Sequence, residues 1–508
     1  MHYLLLPLYF CLQIVANNYG ETDLLPVTVS VLSLLLAVFT LRTVVAYLMT
    51  PIAAGLVTNL IIVLFFTFAD FVSILKEGVL FWIPKLEFQG TVVKDLSLFL
   101  FLLEIGILLL CIRKITTVNT KNLKGLSSFL NAFAIVLVVF PALSIAFQAL
   151  NDQAVKNSLD IQEGKSLKNS PPNIYHIVLD GYGRADVLVK FFEFNNGEFI
   201  RKLNNQGFNV LDTSWANYSI TQASLAATLN LDYLNNLVKD QEVTRSIASQ
   251  LIRNNRLVSI LRELGYQYFH LGSIWEATLR NPNADRQYPC TTFGLQNEFL
   301  RALISKSWLI LLKGLGSSSI VECHRNNFIN LKRISESSDE IVDPFYVFSH
   351  IVLPHYPYVF DDRCQQKFDV ELSNAFSLRS ELWNDRASYL QQLQCVNKLV
   401  LNAVKKIVAN DPRSVIIIHS DHGPDIPHLD NKERISARLA NFIAVKLPKS
   451  FDLDSNFDSP IGLFKNLLIA LGAGDMPQER EKYFYIAEDT ASNITKWQEL
   501  DKYSLKVF

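Results

Sequence analysis

An acid and a histidine stand side by side in Ser420-Asp421-His422-Gly423, directly after the apolar run 415–419. A carboxylate oxygen beside an imidazole nitrogen is a donor pair for a divalent metal such as Zn or Mn. A second acid, Asp180, closes the apolar run Ile174–Leu179 and is followed by Gly-Tyr-Gly, which lets backbone approach closely. A hydroxyl, Thr221, opens a stretch (Thr-Gln-Ala-Ser-Leu-Ala-Ala-Thr-Leu-Asn) whose composition suits a helix. At a helix N-terminus the dipole and free N–H groups stabilise an alkoxide or a bound phosphate. Each feature also has an ordinary reading: a surface turn for Asp421-His422, a strand-end cap for Asp180, an N-cap for Thr221 or Ser219. Combined, two acids, a histidine and a hydroxyl offer a metal three protein ligands and a nucleophile that the metal would activate.

These residues sit where an alternating α/β pattern would place them. Strand-like runs occupy 174–179, 208–211, 266–271, 345–350, 415–419 and 442–447, and helical stretches occupy 245–264, 381–409 and 460–471. β-branched runs ending in an acid read as buried parallel strands, and open α/β sheets bind ligands beyond the carboxyl ends of such strands. The pattern predicts an α/β fold with a doubly wound, mostly parallel sheet over 173–508.

The preceding 150 residues differ in kind. The chain is 508 residues long, 50% hydrophobic and 19% charged; soluble domains carry about 25% charge, so a membrane part is expected. Apolar runs at 3–17, 25–49, 51–75, 96–112 and 126–150 predict an all-α transmembrane domain of about five spans over 1–150. The first run is expected to be retained, because no basic n-region or A-x-A site accompanies it. Asp70 reads as a membrane-boundary acid, whereas Glu104 could face another helix, a wet cavity or a lipid-linked substrate. Arg42, Arg113, Lys114, Lys121 and Lys124 outweigh Lys76, Lys85 and Lys94 on the other side, which puts the N-terminus in the cytoplasm and the C-terminal domain outside. Residues 151–172, ending Ser-Pro-Pro, read as a linker. The net charge of −1 gives no basic excess for nucleic acid. Cys290, Cys323, Cys364 and Cys395 lie in the exported part, where one or two disulfides are expected, with three complete pairings open.

The ordered set Leu-Asp180-Gly-Tyr-Gly-Arg, Asn217-Tyr-Ser-Ile-Thr221-Gln-Ala-Ser224-Leu-Ala, Pro354-His355-Tyr-Pro-Tyr-Val-Phe-Asp and Ser420-Asp421-His422-Gly423 resembles the sulfatase-like branch of the alkaline-phosphatase superfamily. Membrane-anchored phosphoethanolamine transferases and lipoteichoic-acid synthases are among its members. The resemblance implies an alkaline-phosphatase-like sheet, metal ligands at Asp180, Thr221, Asp421 and His422, and Thr221 as the residue transiently esterified. It points to His350, His355 and, more weakly, His428 for a second metal or the transferred group, and to Asn217 and Arg434 for substrate. His270 and Trp275 also match stretches of related sequences, with packing an equal reading for Trp275. None of the cysteines lies in the C/S-x-P-x-R setting that sulfatases proper need for formylglycine.

The expected activity is therefore metal-dependent transfer or hydrolysis of a phosphate-linked head group at the outer face of a cell membrane, with Zn or Mn as cofactor and Mg as a third candidate. Its partners would be a phospholipid or lipid-linked head-group donor and an envelope glycan or lipid acceptor. The alternatives are a sulfuric-ester hydrolase without formylglycine, or a non-catalytic membrane assembly protein that kept the fold.

Overall fold

The computed structural model describes residues 1–17, 19, 24–82, 89–156, 171–238, 243–290, 298–311, 317–337, 344–368, 370, 383–449, 451, 453, 457–477, 480–486, 497–505 and 508. Most of the expected linker, 157–170, lies outside them. The chain divides into two compact units, described separately below.

The first unit contains helices α1 (His2–Asn17), α2 (Leu24–Ala46), α3 (Pro51–Trp82), α4 (Gln89–Thr117) and α5 (Thr120–Lys156). Three segments, Val27–Ala46, Pro51–Val72 and Thr120–Leu150, are long and apolar enough to cross a membrane. Leu36, Phe129, Phe140 and Leu143 stand exposed on them, as lipid-facing side chains would. His2 is buried and sets its ring nitrogens against Asn59 (3.1 Å) and Ser127 (3.2 Å), tying α1 to α3 and α5 with polar contacts.

This unit also takes in a later piece of chain, residues 298–311. Its helix Glu298–Lys306 packs Phe299 and Leu303 among residues of α1 and α2. Trp308 lies edge-on to Phe65 and Phe101 and donates its indole N–H to Glu104 at 2.8 Å. Lys306 stands 3.6 Å from Asp70. Both acids of the apolar runs thus have partners from this piece: Asp70 in an exposed ion pair, Glu104 in a part-buried hydrogen bond.

The second unit is built on a seven-stranded sheet, β1 (Ile174–Leu179), β2 (Phe208–Val210), β3 (Gln267–Leu271), β4 (Arg286–Tyr288), β5 (Phe345–Ile351), β6 (Val415–Ser420) and β7 (Ile443–Lys446), in the order β2-β7-β6-β1-β5-β3-β4. Only β7 runs against its neighbours; the pairs β6–β1, β1–β5, β5–β3 and β3–β4 are parallel. The expected mostly parallel α/β architecture is what forms. β1, β5 and β6 are buried along their whole length, which is why they read as continuous apolar runs rather than alternating ones. Cys290 pairs with Cys323 and Cys364 with Cys395, two disulfides from the three pairings that spacing left open.

The sheet's own strands carry buried histidines, His176 on β1, His270 on β3 and His419 on β6. His270 donates from Nε2 to the Thr278 carbonyl (2.8 Å) and sets Nδ1 against the Tyr268 hydroxyl (2.9 Å); burial pushes it down to about 4. His419 packs on His176 with Nε2 atoms 2.7 Å apart, and burial likewise lowers it to about 4. Because these pKa values are lowered on folding, the unfolded chain takes up protons first as pH falls from 6.5 toward 4, and stability is lost across that window. A shift of that size is worth up to about 3 kcal/mol for each group. The thermal midpoint should fall steeply between pH 7 and pH 4.5, and His270→Gln should flatten part of the slope; an unchanged profile in that variant would contradict the assignment.

Candidate active site

The register of the three central strands assembles the site. β1 and β6 pair with Leu179 opposite Ser420, so the next residues, Asp180 and Asp421, emerge side by side at the carboxyl end of the sheet. On the other flank, β5 brings His350 opposite Val178. Gly181, at φ 68°, turns the chain away; a Cβ there would come within 2.7 Å of the Trp383 ring, so its amide can approach and donate to Asp421 Oδ1 at 3.0 Å. Gly423 is under tighter constraint: a Cβ would strike the carbonyl oxygens of Ala437 and Ala440. Gly423→Ala must therefore displace the Asp421-His422 turn, with an expected loss of about 2–4 kcal/mol in thermal or denaturant unfolding. A variant of wild-type stability would show that the turn relaxes freely.

Thr221 is the first residue of the helix Thr221–Asn230; Ile220 is its N-cap and makes no side-chain cap bond. The capping alternatives fail for both hydroxyls. Ser219 Oγ instead accepts the Ile486 N–H at 2.9 Å, and Thr221 Oγ1 lies 3.1 Å from Nε2 of His422. One turn later, Ser224 Oγ donates to the Asp421 carbonyl at 2.7 Å, pinning the helix start against the acid. His422 Nδ1–H donates to the Gly423 carbonyl at 2.9 Å, which fixes the tautomer and turns the Nε2 lone pair into the site.

Asp180, Asp421 and His422 present ligand atoms within 4.8 Å of one another. His422 Nε2 is 3.3 Å from Asp421 Oδ2 and 3.7 Å from Asp180 Oδ1, and His350 Nε2 is 3.5 Å from Asp180 Oδ2. All four residues are buried, yet among the described residues Asp180 Oδ1, Asp421 Oδ2 and His350 Nε2 make no well-formed hydrogen bond. Two buried carboxylates with bare oxygens beside an imidazole lone pair would be costly without a cation. This donor set fits a divalent metal. The electrostatics agree: burial, then the neighbouring Asp180 carboxylate, pushes Asp421 up to about 7. Burial would raise Asp180 too, but the imidazoles of His355, His350 and His422 outweigh it and hold that carboxyl below its ordinary range. Burial and then the Arg438 guanidinium keep His422 neutral, as a ligand must be.

The remaining expected residues fall at varying distances from this cluster. His355 donates its backbone N–H to the Asp180 carbonyl (3.1 Å) and its Nδ1–H to the Tyr356 carbonyl (2.7 Å), with its ring edge-on to Trp383. Trp275 packs its ring edge-on to His350 at 5.5 Å. The structure does not bring Asn217, Arg434 or His428 into the cluster's hydrogen bonds. Asn217 is fully buried, its amide bonded to Glu481, Lys482 and Ile461. Arg434 forms a two-pronged pair with Asp425 at 2.6 and 2.8 Å. His428 is exposed on the turn after Gly423.

Three residues around the site carried no sequence signal. Thr278 holds His350 through Nδ1 at 2.9 Å. Trp383 covers Gly181. Arg438 donates from Nε to the Ser219 carbonyl (2.8 Å), from Nη1 to the Gly423 carbonyl (3.0 Å) and from Nη2 toward His422 Nε2 (3.2 Å), with its guanidinium 5.4 Å from the Trp383 ring centre. A basic residue in the last turn of the helix Asn431–Leu439 reads from sequence only as a dipole complement. Ser224, one turn after Thr221, was findable by spacing.

A sulfatase family model matches residues 172–439, the stretch from β1 to the helix that carries Arg438. The chain belongs to the sulfatase family. Among solved structures, it is similar to the C-terminal periplasmic domain of Escherichia coli EptC in complex with Zn (12% identity, TM-score 0.44, 64% of this chain and 93% of that one). It is similar also to the integral membrane lipooligosaccharide phosphoethanolamine transferase A of Neisseria meningitidis (12%, TM-score 0.42, 92% and 95%), and to a 2-O GAG sulfatase (13%, TM-score 0.40, 61% and 72%). No curated protein matches it in sequence.

Proposed function

We propose that the chain is a membrane-bound, metal-dependent transferase that moves a phosphate-linked head group by way of Thr221, with hydrolysis resulting when water replaces the acceptor. One observation carries this reading: Thr221 Oγ1, at the start of a helix and released from capping, lies 3.1 Å from the metal-facing nitrogen of His422. Asp180, Asp421, His422 and Thr221 would hold one divalent ion, Zn or Mn from the mixed oxygen and nitrogen donors, or Mg. Bound there, it would ease deprotonation of the hydroxyl and offset charge on the phosphoryl oxygens.

The chain's own residues supply the rest. The Thr221 hydroxyl faces the Asp421 carboxyl, which takes its proton as Oγ1 attacks phosphorus in line. The phosphorus–oxygen bond to the donor alcohol breaks, and the leaving alkoxide takes a proton from solvent water. An acceptor hydroxyl then attacks the phospho-Thr221 diester from the side the alcohol vacated, giving its proton to solvent water, and Asp421 returns its proton to Oγ1 as the Thr221–phosphorus bond breaks. The N–H groups of the helix's first turn would donate to the phosphoryl oxygens. His350 and His355 border Asp180 and would contact the transferred group or a second ion. Arg434, through Asp425, and Asn217, through Glu481, would shape the substrate side of the pocket from a distance, and His428 could reach substrate from its exposed turn.

Sulfate-ester chemistry is the poorer fit. The four cysteines of the second unit are in disulfides and Cys11 and Cys111 lie in α1 and α4, so none supplies a formylglycine. Disulfides, together with the basic residues between the apolar helices, favour a cytoplasmic N-terminus and an extracytoplasmic catalytic domain. Even the three segments long enough to cross exceed what anchoring requires, and a phospholipid donor could approach along the bilayer. The test uses full-length protein with phospholipid: head-group transfer or release should cease on chelation and return with Zn or Mn. Undiminished turnover after metal loss, verified by elemental analysis, would sink the proposal.

A further inference from the structure

We infer that Arg438 is the residue that grips the tetrahedral oxyanion carried by Thr221, a role that rests on the Thr221 reading above. Its guanidinium meets the site at the nitrogen that Thr221 meets: Nη2 is 3.2 Å from His422 Nε2, and Thr221 Oγ1 is 3.1 Å from the same atom. A group esterified to Oγ1 therefore lies within reach of Nη2. That N–H points at a lone pair a metal would claim, so a loaded site frees it for another acceptor.

Charge makes the case from a second direction. Two carboxylates already balance a divalent ion, so a Thr221 oxyanion and a phosphodiester each bring negative charge that the ligands leave unmet. Among the described residues no carboxylate pairs with Arg438, whereas Arg434, one turn earlier, is neutralised by Asp425. A guanidinium left without an acid beside a site built for anions is placed to bind one. Its Nε and Nη1 donate to the Ser219 and Gly423 carbonyls, and the Trp383 ring lies against it. These contacts fix the fork before substrate arrives, so little ordering is needed on binding.

A purely structural clamp between the Ser219 and Gly423 segments is the rival account, and anion binding separates the two. The probe is inorganic phosphate, titrated calorimetrically into metal-loaded, full-length protein in detergent, with metal content and thermal midpoint recorded for each variant. Arg438→Met should weaken phosphate at least about 10-fold, as loss of a charged hydrogen bond does, and Arg438→Lys should recover most of that loss while metal per chain stays at the wild-type value. Phosphate bound by Arg438→Met within twofold of wild type would overturn the role. If Arg438→Met unfolds or sheds metal, the comparison moves to Arg438→Lys and Arg438→Gln, where equal affinities overturn it. Mass spectrometry of the wild type after incubation with phospholipid separates this claim from its premise. A group found on Thr221 together with unchanged phosphate affinity in the variants removes Arg438 alone; no group on Thr221 removes both.

Discussion

Thr221→Ala should abolish turnover while leaving the fold and its metal in place. Loss of a covalent nucleophile costs about 10⁴-fold or more in rate, because what remains is binding and electrostatic stabilisation alone. The structural cost is small. Thr221 is half-buried, is not the N-cap of its helix, and sets its hydroxyl against His422 and the Asp421 carboxyl, so unfolding should shift by less than about 1 kcal/mol. Thr221→Ser keeps the hydroxyl and should keep measurable activity. Steady-state head-group release from a fluorescent phospholipid checks all three proteins. Activity in Thr221→Ala within tenfold of wild type would refute the nucleophile.

Asp421→Asn should separate activity from stability in an unusual direction. With a ligand oxygen replaced by an amide, metal per chain should fall well below one and turnover should drop about 10³-fold or more. Yet the metal-free protein should not be weakened. Burial and Asp180 raise Asp421 to about 7, so the metal-free fold binds a proton there that the unfolded chain, with an ordinary carboxyl near 3.8, releases earlier. Stability contributed by that proton is full below pH 3.8 and is lost as pH rises through 7. At pH 8 the wild-type apoprotein carries this penalty, roughly 2–4 kcal/mol, and the asparagine variant does not. Its apo midpoint at pH 8 should equal or exceed wild type, with the gap closing toward pH 5. An apo variant less stable at pH 8, or one still holding a full equivalent of metal, contradicts the site.

Much of this arrangement is written in local sequence. β1 and β6 are legible because strands buried on both faces lose polar alternation and end where acids begin. Other features are not local. The helical stretch 245–264 is two helices, Arg245–Arg253 and Arg256–Glu263, because Asn255 Oδ1 accepts the Val258 N–H and starts the chain afresh. β4 is a three-residue edge strand of Arg-Gln-Tyr, too short and polar to show a period. The piece 298–311 lies in sequence between strands of the second unit, and only tertiary packing shows Trp308 joined to Glu104 in the first unit. At the site, Asp180, Thr221, Asp421 and His422 were readable as residue types able to bind a metal. Arg438 was not, since its meaning depends on which atom of His422 it meets.

The central claim is that a group passes through Thr221. The most direct measurement is mass spectrometry of the intact full-length protein after incubation with a membrane lipid extract, followed by peptide mapping. The account predicts a phosphate-linked adduct on Thr221 in the wild type and none in Thr221→Ala. A wild type that turns over lipid while Thr221 stays unmodified, or an adduct mapped to another residue, would contradict it.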